Sequence, residues 1–88
     1  MNFHGQLSLA DTLIIRHLEG ELEPQLLDNG KTIYRGHFSC AENFDFNHND
    51  IYLLQTTEGH KTKVKILTLL TDLAGLKVFS MYATHPLK

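Results

Sequence analysis

Six histidines in a chain of 88 residues raise the question of a metal site. His37 and Cys40 form an H-x-x-C pair, and His48 and Asp50 lie close together in a polar stretch. Structural zinc sites are usually built from four thiolate or imidazole ligands. Alternation along a strand sends His37 and Cys40 to opposite faces, and no second close pair of Cys or His completes a set. Scattered surface histidines are the expectation, with no metal and no cofactor.

Nucleophilic chemistry needs a hydroxyl or thiol beside a base that is itself oriented by a third group. Ser39 and His37 share a strand face two residues apart, but no strained elbow or glycine-rich loop surrounds them. Cys40 falls on an apolar face, where a buried thiol is inert. Glu42, Asp45 and Asp50 put three carboxylates in one loop, and nothing in the sequence around them would raise a pKa. There is no G-x-G-x-x-G and no phosphate loop. A small enzyme or metal-binding protein is therefore the least supported reading.

The clearest spacing is electrostatic. Glu19, Glu21 and Glu23 repeat at period two, and so do Lys61, Lys63 and Lys65. On strands, each set becomes a stripe on one face. If the two strands were neighbours, the stripes would pair within one sheet for a modest gain. If they lie on different sides, they are complementary surfaces for head-to-tail association. The lysine stripe, with Tyr52 near it, could instead hold a single-stranded nucleic acid in a small barrel. A plain solvated face, guarded against edge-to-edge aggregation, is the bland reading of the same lysines.

These stripes need strands to carry them. Ile51–Leu70, IYLLQTTEGHKTKVKILTLL, reads as a β-hairpin around Glu58-Gly59. A two-residue turn pairs Gln55 with Thr62, Leu53 with Val64 and Ile51 with Ile66. That register puts Ile51, Leu53, Val64 and Ile66 inside, and leaves Tyr52 and Leu54 outside with the lysines. Leu18–Leu27 and Lys31–Cys40 form a second hairpin around Asp28-Asn29-Gly30. Its three-residue loop pairs Leu26 with Thr32, Pro24 with Tyr34, Leu22 with Gly36 and Leu18 with Cys40. Glu23 then faces Arg35, and Glu21 faces His37. Thr71–Gly75 is a third turn, and Leu76–Ala83 returns as a strand that pairs Leu70 with Leu76. Leu67, Phe79 and Met81 fall on a second apolar face.

Upstream, Gln6–Leu9 could be an edge strand. Ser8–Glu19 is read as a short helix. Ser8 and Asp11 resemble a capping pair, Leu9, Ala10, Leu13, Ile14 and Leu18 share a helical face, and Gly20 is a stop. Thr12, Ile14 and Ile15 speak for a strand. Ala41–Asp50 is a polar connection in which Phe44 and Phe46 could plug one end of a barrel.

The remaining numbers bound the class. Hydrophobic residues make up 42% and charged residues 20%, which fits one globular domain spanning 1–88. A net charge of −2 gives no global basic field for nucleic acid. A single cysteine excludes an internal disulfide framework. No leader and no apolar run of membrane-crossing length is evident, so a cytoplasmic setting without a membrane is expected. The order of elements resembles that of the compact barrels that join head and tail in tailed phages, without a shared residue motif.

The expectation is a mainly β domain. It has five to six antiparallel strands in a small barrel or strongly twisted meander, with a short N-terminal helix. The expected function is a non-enzymatic module that assembles with itself or another protein, as a homo-oligomer. Its interface would be Leu67, Phe79 and Met81, aided by the two charged stripes. Nucleic-acid binding through Tyr52, Lys61, Lys63 and Lys65 is the alternative.

Overall fold

The computed structural model describes residues 1–73 and 75–87. Six strands follow one another: β1 (Asn2–Leu9), β2 (Thr12–Leu26), β3 (Thr32–Cys40), β4 (Tyr52–Thr56), β5 (Lys61–Leu73) and β6 (Leu76–Ala83). They close into one antiparallel sheet in the order β1-β2-β3-β6-β5-β4, with β4 returning to β1. Closure leaves one inside and one outside, so alternation along every strand sorts side chains between core and surface.

The inside holds Phe3 and Leu7 from β1, Ile15, Leu18 and Leu22 from β2, and Phe38 and Cys40 from β3. Tyr52, Leu54, Val64, Ile66, Phe79, Met81 and Ala83 complete it from β4, β5 and β6. Phe38 and Phe79 stack with ring centroids 5.2 Å apart. The β3–β4 connection, 41–51, crosses one end of the sheet. It lowers Phe44 edge-on against Tyr52 and Phe79, and Phe46 against Phe79. The plugging aromatics expected in that loop are therefore in place. We call this end, which also carries the β1–β2 and β5–β6 turns, the upper end.

The β2–β3 register is the one expected, from Leu26 opposite Thr32 to Glu19 opposite Ser39. Gly20 and Gly36 face inward along this pair. A Cβ on Gly36 would stand 1.8 Å from the Glu21 carbonyl oxygen, and one on Gly20 would stand 2.1 Å from that of His37. The two backbones lie too close there for a side chain, and only glycine allows so close an approach.

Three expectations are corrected. Among the described residues there is no helix, and Ser8–Glu19 is instead the turn and first half of the β1–β2 hairpin. Ala10 and Asp11 both take positive φ, 48° and 68°, which is the conformation of a two-residue hairpin turn. Bulges explain the helix-like pattern. Arg16 and His17 together oppose Gln6, and Ile14 is a second extra residue between Leu13 and Ile15. Each inserted residue breaks the period of two, so buried Ile15 and Leu18 come three apart and mimic a helical face.

The β4–β5 hairpin is shifted by one residue, with Tyr52 opposite Val64, Leu53 opposite Lys63 and Leu54 opposite Thr62. Its loop has three residues, Thr57 to Gly59, closed by the Thr56 amide donating to the His60 carbonyl. Gly59 takes the positive φ. Tyr52 and Leu54 are consequently inside, while Ile51 is exposed. Residues 51–54 are all apolar, so hydrophobicity alone could not choose between the two parities. The Tyr52 hydroxyl accepts the Asn47 amide at 3.1 Å, which satisfies its buried oxygen.

The last hairpin differs as well. β5 continues to Leu73, which pairs with Leu76, and bulges at Leu67 and Leu70 shift the register. The turn expected over Thr71–Gly75 includes Ala74, which lies outside the described residues. Phe79 (1% exposed) and Met81 (0%) belong to the core, so they are not part of a second, outer apolar face.

Candidate functional site

The outer side of β2 carries Glu19, Glu21 and Glu23, because Leu18, Gly20 and Leu22 point inward between them. Imidazoles from the neighbouring strands stand beside this acidic stripe. His4 of β1 lies 3.8 Å from Glu19, and His37 of β3 lies 3.8 Å from Glu21. Glu23 pairs with the Met1 amino group. All these groups are at least partly exposed, so each pair contributes little to stability.

The outer side of β5 carries Lys61, Lys63 and Lys65, with Thr62, Val64 and Ile66 buried between them. Among the described residues, none of the three ammonium groups has a carboxylate within ion-pair distance. In the closed order β1-β2-β3-β6-β5-β4, strands β2 and β5 stand three places apart whichever way round is counted. The acidic and basic stripes are thus on diametrically opposite flanks. Successive residues of each stripe are separated by about 6.5–7 Å, two strand rises, so the stripes match in length and spacing.

The other sequence candidates are dispersed. His37 points outward to Glu21 while Cys40 points inward, where its thiol donates to the Glu42 carbonyl at 3.7 Å. Burial pushes the Cys40 thiol above its ordinary pKa, which suits a core residue rather than a nucleophile. Ser39 donates its hydroxyl to the Glu19 carbonyl at 3.4 Å. The Glu42 carboxylate accepts the backbone amides of Arg16 and His17, at 2.7 and 3.3 Å, and so pins the plugging loop to the β2 bulge. Among the described residues, no three His, Cys, Asp or Glu side chains are grouped so as to hold a metal ion.

Tyr52, expected beside the lysines, is inside and 2% exposed. Tyr52 therefore offers the lysine flank no platform on which a nucleic-acid base would stack, and the aromatic ring beside the lysines is that of half-buried Tyr82, opposite Lys65 on the outer face. Leu67, expected with Phe79 and Met81 on one outer face, is half-buried at a bulge and parts company with both.

The sequence reading missed a set of exposed leucines toward the upper end. Leu13 on β2, Leu69, Leu70 and Leu73 on β5, and Leu76 on β6 are all well exposed, Leu70 at 58% and Leu73 at 63%. A signal was present. Leu69 and Leu70 are adjacent, and two neighbours on a strand cannot both enter the same core.

No protein-family model matches the chain, and no curated protein or solved structure is significantly similar to it.

Proposed function

We propose that this protein is a non-enzymatic assembly module that binds further copies of itself through its two charged flanks. The observation that carries this reading is the opposition of β2 and β5: three carboxylates on one side, three ammonium groups on the other, at the same spacing. A single molecule cannot bring these surfaces together, but two molecules can. Such an interface is heterologous, so each copy keeps one free acidic and one free basic flank, and the assembly grows as a filament or closes as a wide ring. Exposed charge pairs give orientation and encounter rate more than affinity. The neighbouring leucines supply apolar area that the charges lack.

Sedimentation equilibrium over a range of salt tests the reading. The expected result is an average mass above the 10.0 kDa of one chain at low salt. It should fall as ionic strength rises toward about 1 M, where screening acts within about 3 Å. A mass of one chain at every salt and at high protein concentration would overturn it. A large mass that ignores salt would keep self-association but remove the charged flanks as its cause.

A further inference from the structure

The pairing ladders say more than that the two stripes are on opposite flanks; they also fix their relative height. From Leu18 on β2, the ladder runs one way through Gly5 and Thr56 to His60. The other way, continuing one step past the Glu19–Ser39 pair, it runs through Cys40 and Lys77 to Asp72. The two routes reach β5 at different residues because strands in a closed sheet tilt and their registers stagger. The point level with Leu18, directly across the sheet, lies midway between them, five ladder steps from each once the bulged Leu67 and Leu70 are set aside, at Lys65. Chain direction is opposite on the two strands, so Glu19 is level with Val64 and Glu21 with Thr62, each one residue from two of the lysines, and Glu23 is one residue from Lys61.

The two flanks also match above the stripes. Leu13 stands three ladder steps above Leu18, once the bulged residues are set aside. Leu69, with the bulged Leu70 beside it, stands three steps above Lys65. Each flank is therefore built in two tiers, charged below and apolar above, with the tiers at equal heights on the two sides. Leu13 is 42% exposed and Leu70 is 58% exposed, so both are available for contact.

Resting on the self-association proposed above, we infer that copies pack side by side with their upper ends pointing the same way, the β2 flank of one against the β5 flank of the next. In this orientation Glu21 sits between Lys61 and Lys63, and Leu13 meets Leu69 and Leu70. Turning one copy upside down would set the acidic tier of β2 against the leucines of β5, which would desolvate carboxylates without a partner. Strand tilt makes the two stripes cross rather than run alongside. The tightest charge contact is consequently at the centre, Glu21 with Lys63, and the outer pairs are looser.

Complementation between two blocked variants tests this. Leu13→Glu blocks only the β2 flank, and Leu70→Glu blocks only the β5 flank. Both residues are exposed, so both variants are expected to fold, as circular dichroism can verify. Each alone should lose assembly at concentrations where the unaltered protein associates. Mixed in equal amounts, they should form dimers and nothing larger, because one intact β2 flank meets one intact β5 flank and both outer ends are blocked. The charge swap Glu21→Lys with Lys63→Glu in one chain should restore the assembly that either change alone weakens. If the unaltered protein associates but the mixture stays monomeric, or either variant assembles normally, the inferred packing is wrong while self-association stands. A Leu13→Glu variant that still dimerises beside a monomeric Leu70→Glu variant would mean β5 meets β5 across a two-fold axis. If the unaltered protein never associates, both readings fall.

Discussion

The two halves of β5 behave as if they belonged to different strands. From Lys61 to Ile66 exposure alternates without a break: lysines outside, Thr62, Val64 and Ile66 buried. From Leu67 to Leu73 two bulges interrupt the ladder to β6, and Leu69, Leu70 and Leu73 are exposed. Both halves are apolar enough to form core, yet only the lower one does. The upper leucines are not held in place by the interior of this sheet, because Phe44 and Phe46 already close that end. The side-by-side packing proposed above would give them a partner.

The strongest way to break this comparison is to truncate one side chain from each region. Phe79→Ala removes a ring that touches Phe38, Phe44 and Phe46. It is expected to cost about 3–5 kcal/mol in urea unfolding, enough to leave a domain of this size barely folded. Leu73→Ala removes a side chain that is mostly in water, and should change stability by no more than about 0.5 kcal/mol. Equal losses would show that the upper arm is core and that the exposed leucines need no partner.

The same contrast explains how much the sequence disclosed. The β2–β3 register was legible because an Asp-Asn-Gly turn and one consistent face of Leu18, Leu22 and Phe38 agreed. The β4–β5 register was not, since Tyr52, Leu53 and Leu54 satisfy either parity and one extra loop residue decided between them. The β1–β2 hairpin was hidden because its bulges imitate helical spacing and its turn lacks glycine. The charged stripes could be read directly, because period two survives any register. Their opposition could not, because it depends on strand order around the closed sheet, which local pattern does not encode.

A smaller effect probes the seam between the two regions. Glu42 holds the plugging loop by accepting two successive amides of the β2 bulge. Glu42→Ala leaves those donors to water and should cost about 1 kcal/mol, the net value of an ordinary hydrogen bond, because partial exposure reduces what the charge adds. The loss should be local. Hydrogen exchange should quicken at the Arg16 and His17 amides, and Cys40 should be alkylated faster as the loop above it loosens. Amides of Leu54, Val64 and Ile66 should keep their protection. Uniform loss across the sheet would mean that the loop is part of one cooperative unit with the lower half.

The smallest expected effect concerns the β1–β2 turn. At the other tight turns the positive φ falls on glycine, at Gly30, Gly59 and Gly75. Here Ala10 and Asp11 occupy it. An L-residue with a Cβ is disfavoured in this region by roughly 1–2 kcal/mol, and asparagine bears it best because its side chain bonds locally. The turn persists because β1 and β2 are locked below it by Phe3, Leu7, Ile15 and Leu18. Ala10→Asn should therefore stabilise by about 0.5–1 kcal/mol, which at this size raises the melting temperature by a few degrees. Adding Asp11→Gly creates the Asn-Gly pair that this turn type favours most, and should add a further few tenths. Ala10→Val should lose stability, because a branched side chain crowds the same carbonyl. If all three variants melt together with the unaltered protein, the tip is not held in this turn. Leu13, two residues from it, would then have no fixed height from which to meet Leu70.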